Sequence, residues 1–204
     1  MNTHSTVSRT VAIVTSACGG LVVLGLVGSA ALGAAFDSGA FGTRDGSTVD
    51  ESGTRVQTAD VGGIDSISVD SSASDFTLRF ADVPEARLEV SGDSDRRWRL
   101  EVEEGELSVE SERGFPGFCF GWCDDGDEHV TLTLPERLGD GALDADLEVS
   151  AGSLSAEGSF RKLDLSLSAG ALYFDGAARS LSADVSAGRG EITVADASEA
   201  EFDV

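Results

Sequence analysis

Cys119 and Cys123 stand close together, with His129 shortly after them, and this is the densest group of chemically versatile side chains in the sequence. The stretch that holds them, Gly114-Phe-Pro-Gly-Phe-Cys119-Phe-Gly-Trp122-Cys123-Asp-Asp-Gly-Asp-Glu-His129, also carries Phe115, Phe118, Phe120 and Trp122. Outside the cytoplasm thiols tend to pair, so a disulfide between Cys119 and Cys123 is the expected chemistry. The loop it closes is short, so it would stiffen an aromatic tip and add little to global stability. A metal site on Cys119, Cys123 and His129 would need a fourth ligand such as Asp124 or Asp125, and C-x3-C is not a standard zinc spacing. No metal or cofactor is therefore expected. The four aromatic rings are either an exposed tip that touches a ligand, a glycan or a membrane, or a plug folded over one open end of the core.

Other chemistry has little material. The chain has a single lysine, Lys162, a single tyrosine, Tyr173, and two histidines, His4 and His129. A Ser-His-Asp arrangement would have to use His129, and the spacing offers no credible order for one. A polysaccharide-cleaving carboxylate pair would fall on Asp124-Asp125, in a Gly-rich loop. No catalytic residue is expected. With 14 Lys+Arg against 37 Asp+Glu, a formal charge of −23 and a pI near 4.1, nucleic acid is excluded as a partner, because phosphate backbones need cationic neutralisation. The acids Asp146, Glu148, Asp164 and Asp184 recur at outward positions of a repeat. Calcium would need six to eight oxygens, but Ser166 and Ser182 interrupt the columns, so a solvated acidic face is expected.

The elements that must position these residues fall into four parts. Residues 1–10 form a short tail containing Arg9. Val11 to Phe36 carries no charged residue. At helical rise these residues span roughly 39 Å, more than a hydrocarbon core of about 30 Å requires. A transmembrane anchor over 11–36 is expected, with residues 1–10 cytoplasmic and the remainder extracytoplasmic by the positive-inside rule. A cleaved signal peptide ending near Ala34-Ala35 is the alternative. Cys18 reads as a small residue of that apolar helix. Residues 37–60 read as a flexible polar linker. All 37 acids lie beyond residue 36, so the acidity belongs wholly to the external part. It carries the stamp of genome composition or a saline habitat more readily than that of a binding surface.

Residues 61–204 alternate polar and apolar, as in Ile64-Asp-Ser-Ile67-Ser-Val69, Phe76-Thr-Leu78-Arg-Phe80 and Val130-Thr-Leu132-Thr-Leu134. Turn residues divide these runs, so the domain reads as all-β. Its last third repeats at 18-residue intervals: Ser150-Ala-Gly152, Ser168-Ala-Gly170 and Ser186-Ala-Gly188. A unit this short cannot close a core by itself and must stack on its neighbours. A β-solenoid is predicted, with a β-sandwich as runner-up. Leu147, Leu165 and Ala183 should stack as one inward column, Val149, Leu167 and Val185 as a second, and Leu154, Leu172 and Ile192 as a third. Arg189 and Gly190 read as two extra residues at the last turn. Glu201-Phe-Asp-Val204 looks like the strand before another Ser-Ala-Gly, so the repeat predicts either that this edge pairs with something or that the sequence is cut short.

The V-S-A-G-S-L-S-x-E-G rung, the L-D-L-S-L-S-A-G run and the preceding L-T-L-P resemble the bacterial adhesin-like β-strand-repeat domains of unknown function, also grouped as toastrack domains. The resemblance covers residues 61–204 and the layout of an N-terminal anchor. It implies a right-handed β-helix-like stack outside the cytoplasmic membrane, with some relatives in envelope-stress responses. No catalytic residues are defined for the family, so none transfer. The functional expectation is a membrane-anchored, extracytoplasmic, non-catalytic module with an adhesin-like structural or binding role toward a surface, protein or peptide. A regulatory module that meets cationic peptides or membrane partners is the alternative.

Overall fold

A computed structural model describes residues 10–16, 48–49, 53–92, 96–112, 128–195 and 198–203. All of its strands belong to one fourteen-stranded sheet, and among the described residues the helical content is one 3-10 turn at Glu136–Leu138. In chain order the first seven strands are β1 (Thr10–Ser16), β2 (Thr48–Val49), β3 (Arg55–Ala59), β4 (Ser66–Ser71), β5 (Ser74–Ala81), β6 (Ala86–Ser91) and β7 (Arg97–Glu103). They continue as β8 (Glu106–Glu112), β9 (His129–Pro135), β10 (Asp144–Val149), β11 (Gly152–Leu167), β12 (Gly170–Val185), β13 (Gly188–Val194) and β14 (Glu199–Asp203). The all-β expectation holds: the quoted alternating runs fall on β4, β5 and β9, with Ile64 just before β4, and their apolar members are buried except Phe80, which is half-buried.

The 18-residue period is a pairing register. Strand β11 lies parallel to β12 from Gly152↔Gly170 to Leu167↔Val185, β10 parallel to β11 from Asp144↔Lys162, and β12 parallel to β13 from Gly170↔Gly188. Each circuit crosses the sheet twice. In β11, Leu154 and Ala156 point inward, then the phase shifts past Phe160 so that Leu163, Leu165 and Leu167 point inward. Strand β12 shifts in the same place. The shift bends both strands around the core, so that their first halves lie in one layer and their second halves in the other. Phe80, Phe160 and Phe174 form a tilted ladder of rings beside the bend, with centroids 5.8 and 6.2 Å apart. At the opposite corner the Ser-Ala-Gly turns stack through backbone hydrogen bonds such as Gly152 N to Ala169 O and Gly170 N to Ala187 O. Gly152, Gly170 and Gly188 have φ of +112°, +135° and +146°. A Cβ at Gly170 would be driven into the carbonyl oxygen of Gly152 beneath it, so glycine is required both by conformation and by space.

Two earlier strand pairs lack the motif. Strands β4 and β5 form one around Ser71–Ser74, pairing in parallel with β10 and β11 through Val69↔Leu147 and Phe76↔Leu154. Strands β8 and β9 form the other, parallel to β4 and β5, and the cysteine-containing stretch 113–127 between them lies outside the described residues. Antiparallel strands finish this end: β6 on β9, β7 on β8, and β3 on β6. Gln57 of β3 then bridges the two layers. Its amide donates to Trp98 O at 2.7 Å and accepts from Leu100 N at 3.1 Å, so the sheet nearly closes into a barrel around one continuous core.

Three expectations change. The first two columns stand, as Leu147↔Leu165↔Ala183 and Val149↔Leu167↔Val185, but the third is Leu154↔Leu172↔Gly190. Ile192 instead pairs with Phe174, which pairs with Ala156. Arg189 and Gly190 are therefore not extra residues, because backbone pairing kept the period of 18 where side-chain matching suggested a slip. The added residue comes later, between β13 and β14, where β12 pairs at Ser180↔Glu199. Second, residues 55–59 of the expected linker are strand β3, whose inward positions are taken by Arg55, Gln57 and Ala59 and so show no apolar period. Third, residues 11–16 of the uncharged run are strand and not helix: β1 lies antiparallel on β13 from Thr10↔Val194 to Ser16↔Gly188, where an unpaired edge offers hydrogen bonds to any extended β-branched segment. Residues 17–36 lie outside the described residues, and among the described residues no helix is long and apolar enough to cross a membrane.

Candidate functional site

The second layer, β7-β8-β4-β10 with the second halves of β11 and β12 and then β14, turns three lateral rows of side chains outward. One row reads Glu103, Glu106, Ser66, Asp144, Lys162, Ser180, Glu199. The next reads Glu101, Ser108, Ser68, Asp146, Asp164, Ser182, Glu201, and the last Arg99, Glu110, Asp70, Glu148, Ser166, Asp184, Asp203. Carboxylates outnumber cations thirteen to two, with serines filling the other places. Neighbouring strands lie about 4.8 Å apart, so the acids form a regular array on a continuous sheet. The expected columns of Asp146 with Asp164, and of Glu148 with Asp184, are present and interrupted by Ser182 and Ser166.

The cations near this array are held by it. Arg161 grips Asp144 with both ends of its guanidinium, at 2.7 and 2.6 Å. That hydrogen-bonded pairing keeps the Asp144 carboxyl below its ordinary range and raises Arg161. The Lys162 ammonium lies 2.5 Å from Asp164 and is raised by it first, with Asp146 and Asp144 adding to the field.

The first layer is different. Its outward rows include Glu89, Thr131, Thr77, Ser155, Tyr173 and Glu191, with Arg87, Thr133 and Arg79 beside them. With Asp75, Glu157, Asp175 and Arg189 of the same layer, five acids face three arginines there, against thirteen carboxylates to two cations on the second layer. One further row aligns His129, Asp75 and Ser153. Ser153 donates to Asp75 Oδ1 at 2.7 Å, and His129 Nδ1 lies 3.4 Å from Asp75 Oδ2. The carboxylate stands between hydroxyl and imidazole, so the histidine is not placed to take the serine proton, which is what a hydrolytic triad requires.

Just before β9 sits a charged group that the sequence reading passed over. The Glu128 side chain is fully buried, with Arg96 Nη1 at 3.3 Å and Arg55 Nη2 at 3.7 Å. Arg96 also donates to Ala73 O, and Arg55 to Arg96 O at 2.9 Å. The group ties together the starts of β3, β7 and β9. A signal for it existed: Glu128 falls in phase with Val130, Leu132 and Leu134, an inward position where a charge needs partners. The expected site residues Cys119, Cys123, Phe115, Phe118, Phe120 and Trp122, with Asp124 and Asp125, lie outside the described residues. Among the described residues no group of three or more His, Cys, Asp or Glu is placed to hold a metal ion.

No family model matches the chain. No curated protein matches it either. Among solved structures it is similar to a candidate cell adhesion protein from Clostridium sporogenes, at 12% identity and a TM-score of 0.36, over 64% of this chain and 60% of that one.

Proposed function

We propose that this chain is a non-catalytic, extracytoplasmic module, tethered by residues 17–36 of its uncharged run, that binds through one face in the manner of an adhesin. In this reading the parallel 18-residue circuits are the rungs of a right-handed β-solenoid, which serves as a rigid backing. The observation that carries the reading is the asymmetry between layers: one presents thirteen carboxylates to two cations, and the other offsets five acids with three arginines. A flat array with one sign of charge draws in cationic partners through its summed field. The fitting partner is a cationic peptide or the basic patch of a protein. The separation of His129 from Ser153 by Asp75 supports the non-catalytic part.

The test is binding of an oligolysine peptide to the full chain in detergent micelles as salt is raised. Affinity should fall at least about tenfold between ~50 and ~300 mM salt, since exposed charges are screened beyond about a Debye length. Asp146→Asn with Asp164→Asn should weaken binding, and Glu89→Gln with Glu191→Gln on the other layer should not. Salt-independent binding, or equal loss from both pairs of changes, would sink the electrostatic reading.

A further inference from the structure

The bend of the long strands carries a groove that the acidic face does not explain. It encloses about 370 Å³ and is lined by Asp140, Gly141, Ser159, Ala177, Arg179 and Ser198. Phe160 and Ala178 lie beneath, but they are only 1% and 2% exposed, so the walls that a ligand meets are polar groups and small residues.

Arg179 is out of keeping with the repeat. One circuit earlier Arg161 leaves the bend and forks onto the carboxylate of Asp144. The residue in register with Asp144 in the next circuit is Lys162. The repeat thus keeps an arginine after the bend and replaces its carboxylate partner with a second cation. Among the described residues the Arg179 guanidinium makes no hydrogen bond or ion pair, and its carbonyl accepts from Ser198 N at 3.2 Å. Across the groove Asp140 uses Oδ1 to accept from Ala142 N at 3.0 Å, and it forms no ion pair among the described residues. On a chain of formal charge −23, a guanidinium without a carboxylate, set beside two serine hydroxyls, is placed to receive an anion from outside.

We propose that this groove binds a small hydroxylated monocarboxylate of the uronic acid class. The planar guanidinium fork matches a carboxylate with two parallel hydrogen bonds. Ser159, Ser198 and Asp140 then offer partners to sugar hydroxyls, which an apolar acid would leave unused. The volume suits one sugar unit, being near the lower end for small-molecule sites. A dianion such as phosphate is disfavoured by the surrounding acidic field and by Asp140 itself. The site does not depend on the anchor or on the acidic face.

The experiment follows backbone amide shifts of Ser159, Ala177 and Arg179 in the full chain, held in detergent micelles, during titration with glucuronate, glucose or inorganic phosphate. Glucuronate should give saturable shifts with a Kd on the order of millimolar, the range expected for a few polar contacts in an open site. Arg179→Gln should weaken it by about tenfold or more, the loss expected for a charge-assisted pair. Arg161→Gln, whose native side chain is already committed to Asp144, should leave it unchanged. Arg179 is exposed, and an otherwise superimposable spectrum shows that the variant is folded. Glucose binding as well as glucuronate, phosphate binding more tightly, an unaffected Arg179→Gln, or no saturation by ~100 mM would each overturn the proposal.

Discussion

Gly170 concentrates two requirements in one residue: a left-handed φ of +135° and a backbone approach that leaves no room for a Cβ above Gly152. Gly170→Ala should therefore cost about 3 kcal/mol or more, combining the strain of that conformation with displacement of the rung beneath. A fall in the urea midpoint with an unchanged m-value would report it, and a loss below ~1 kcal/mol would contradict the stacked-turn geometry. Asp144 works through charge instead. Because pairing with Arg161 lowers its folded-state pKa, the stabilisation is present above the ordinary aspartate value near 3.9 and is lost as pH falls through the lower folded value. Both side chains are substantially exposed, at 33% and 49%, so solvent screening keeps the effect modest. A carboxyl NMR titration should show the Asp144 midpoint rising in Arg161→Gln. An unmoved midpoint would mean that the fork does not persist in solution.

Among elements, the seam between β3 and β7 departs most from the repeat, since one side chain there does the work of a ladder. Gln57→Leu leaves Trp98 O and Leu100 N without their partner and should cost about 1–3 kcal/mol for each group left unsatisfied in the interior. Faster amide exchange at Leu100, with β12 unaffected, is the expected signature, and uniform loss of protection would point to general unfolding. This seam also marks how far the sequence could be read. Alternation located the strands from β4 to β9, and the Ser-Ala-Gly period located the turns of the last three rungs, because both signals are local. Partners were harder to read. Ser71–Ser74 occupies the same corner with serine in place of glycine, and its rung joins strands far along the chain, as in Ser74↔Gly152. Arg55, Gln57 and Glu128 sit at inward positions without being apolar, so a hydrophobic period passes over them. Arg179 becomes conspicuous only once the register shows that Lys162 stands in the place of Asp144.

For the whole molecule, a parallel register that repeats every 18 residues means that each circuit meets the next with the same surface. Duplicating residues 152–169 in tandem should thus give a chain that still unfolds cooperatively, with a larger m-value from the added buried surface. Duplicating one residue fewer would turn inward leucines to solvent, since a strand's faces alternate with a period of two, and should abolish cooperative melting by circular dichroism. Equal behaviour of the two insertions would show that the register does not govern folding. The strand β1 has a different reach. If residues 17–36 cross a bilayer, then Thr10–Ser16 and the β13 edge stand on opposite sides of it, and the seven-residue pairing between them cannot persist in that chain. In such a chain the edge of β13 stands with a strand's worth of backbone hydrogen bonds open to any extended segment that meets it.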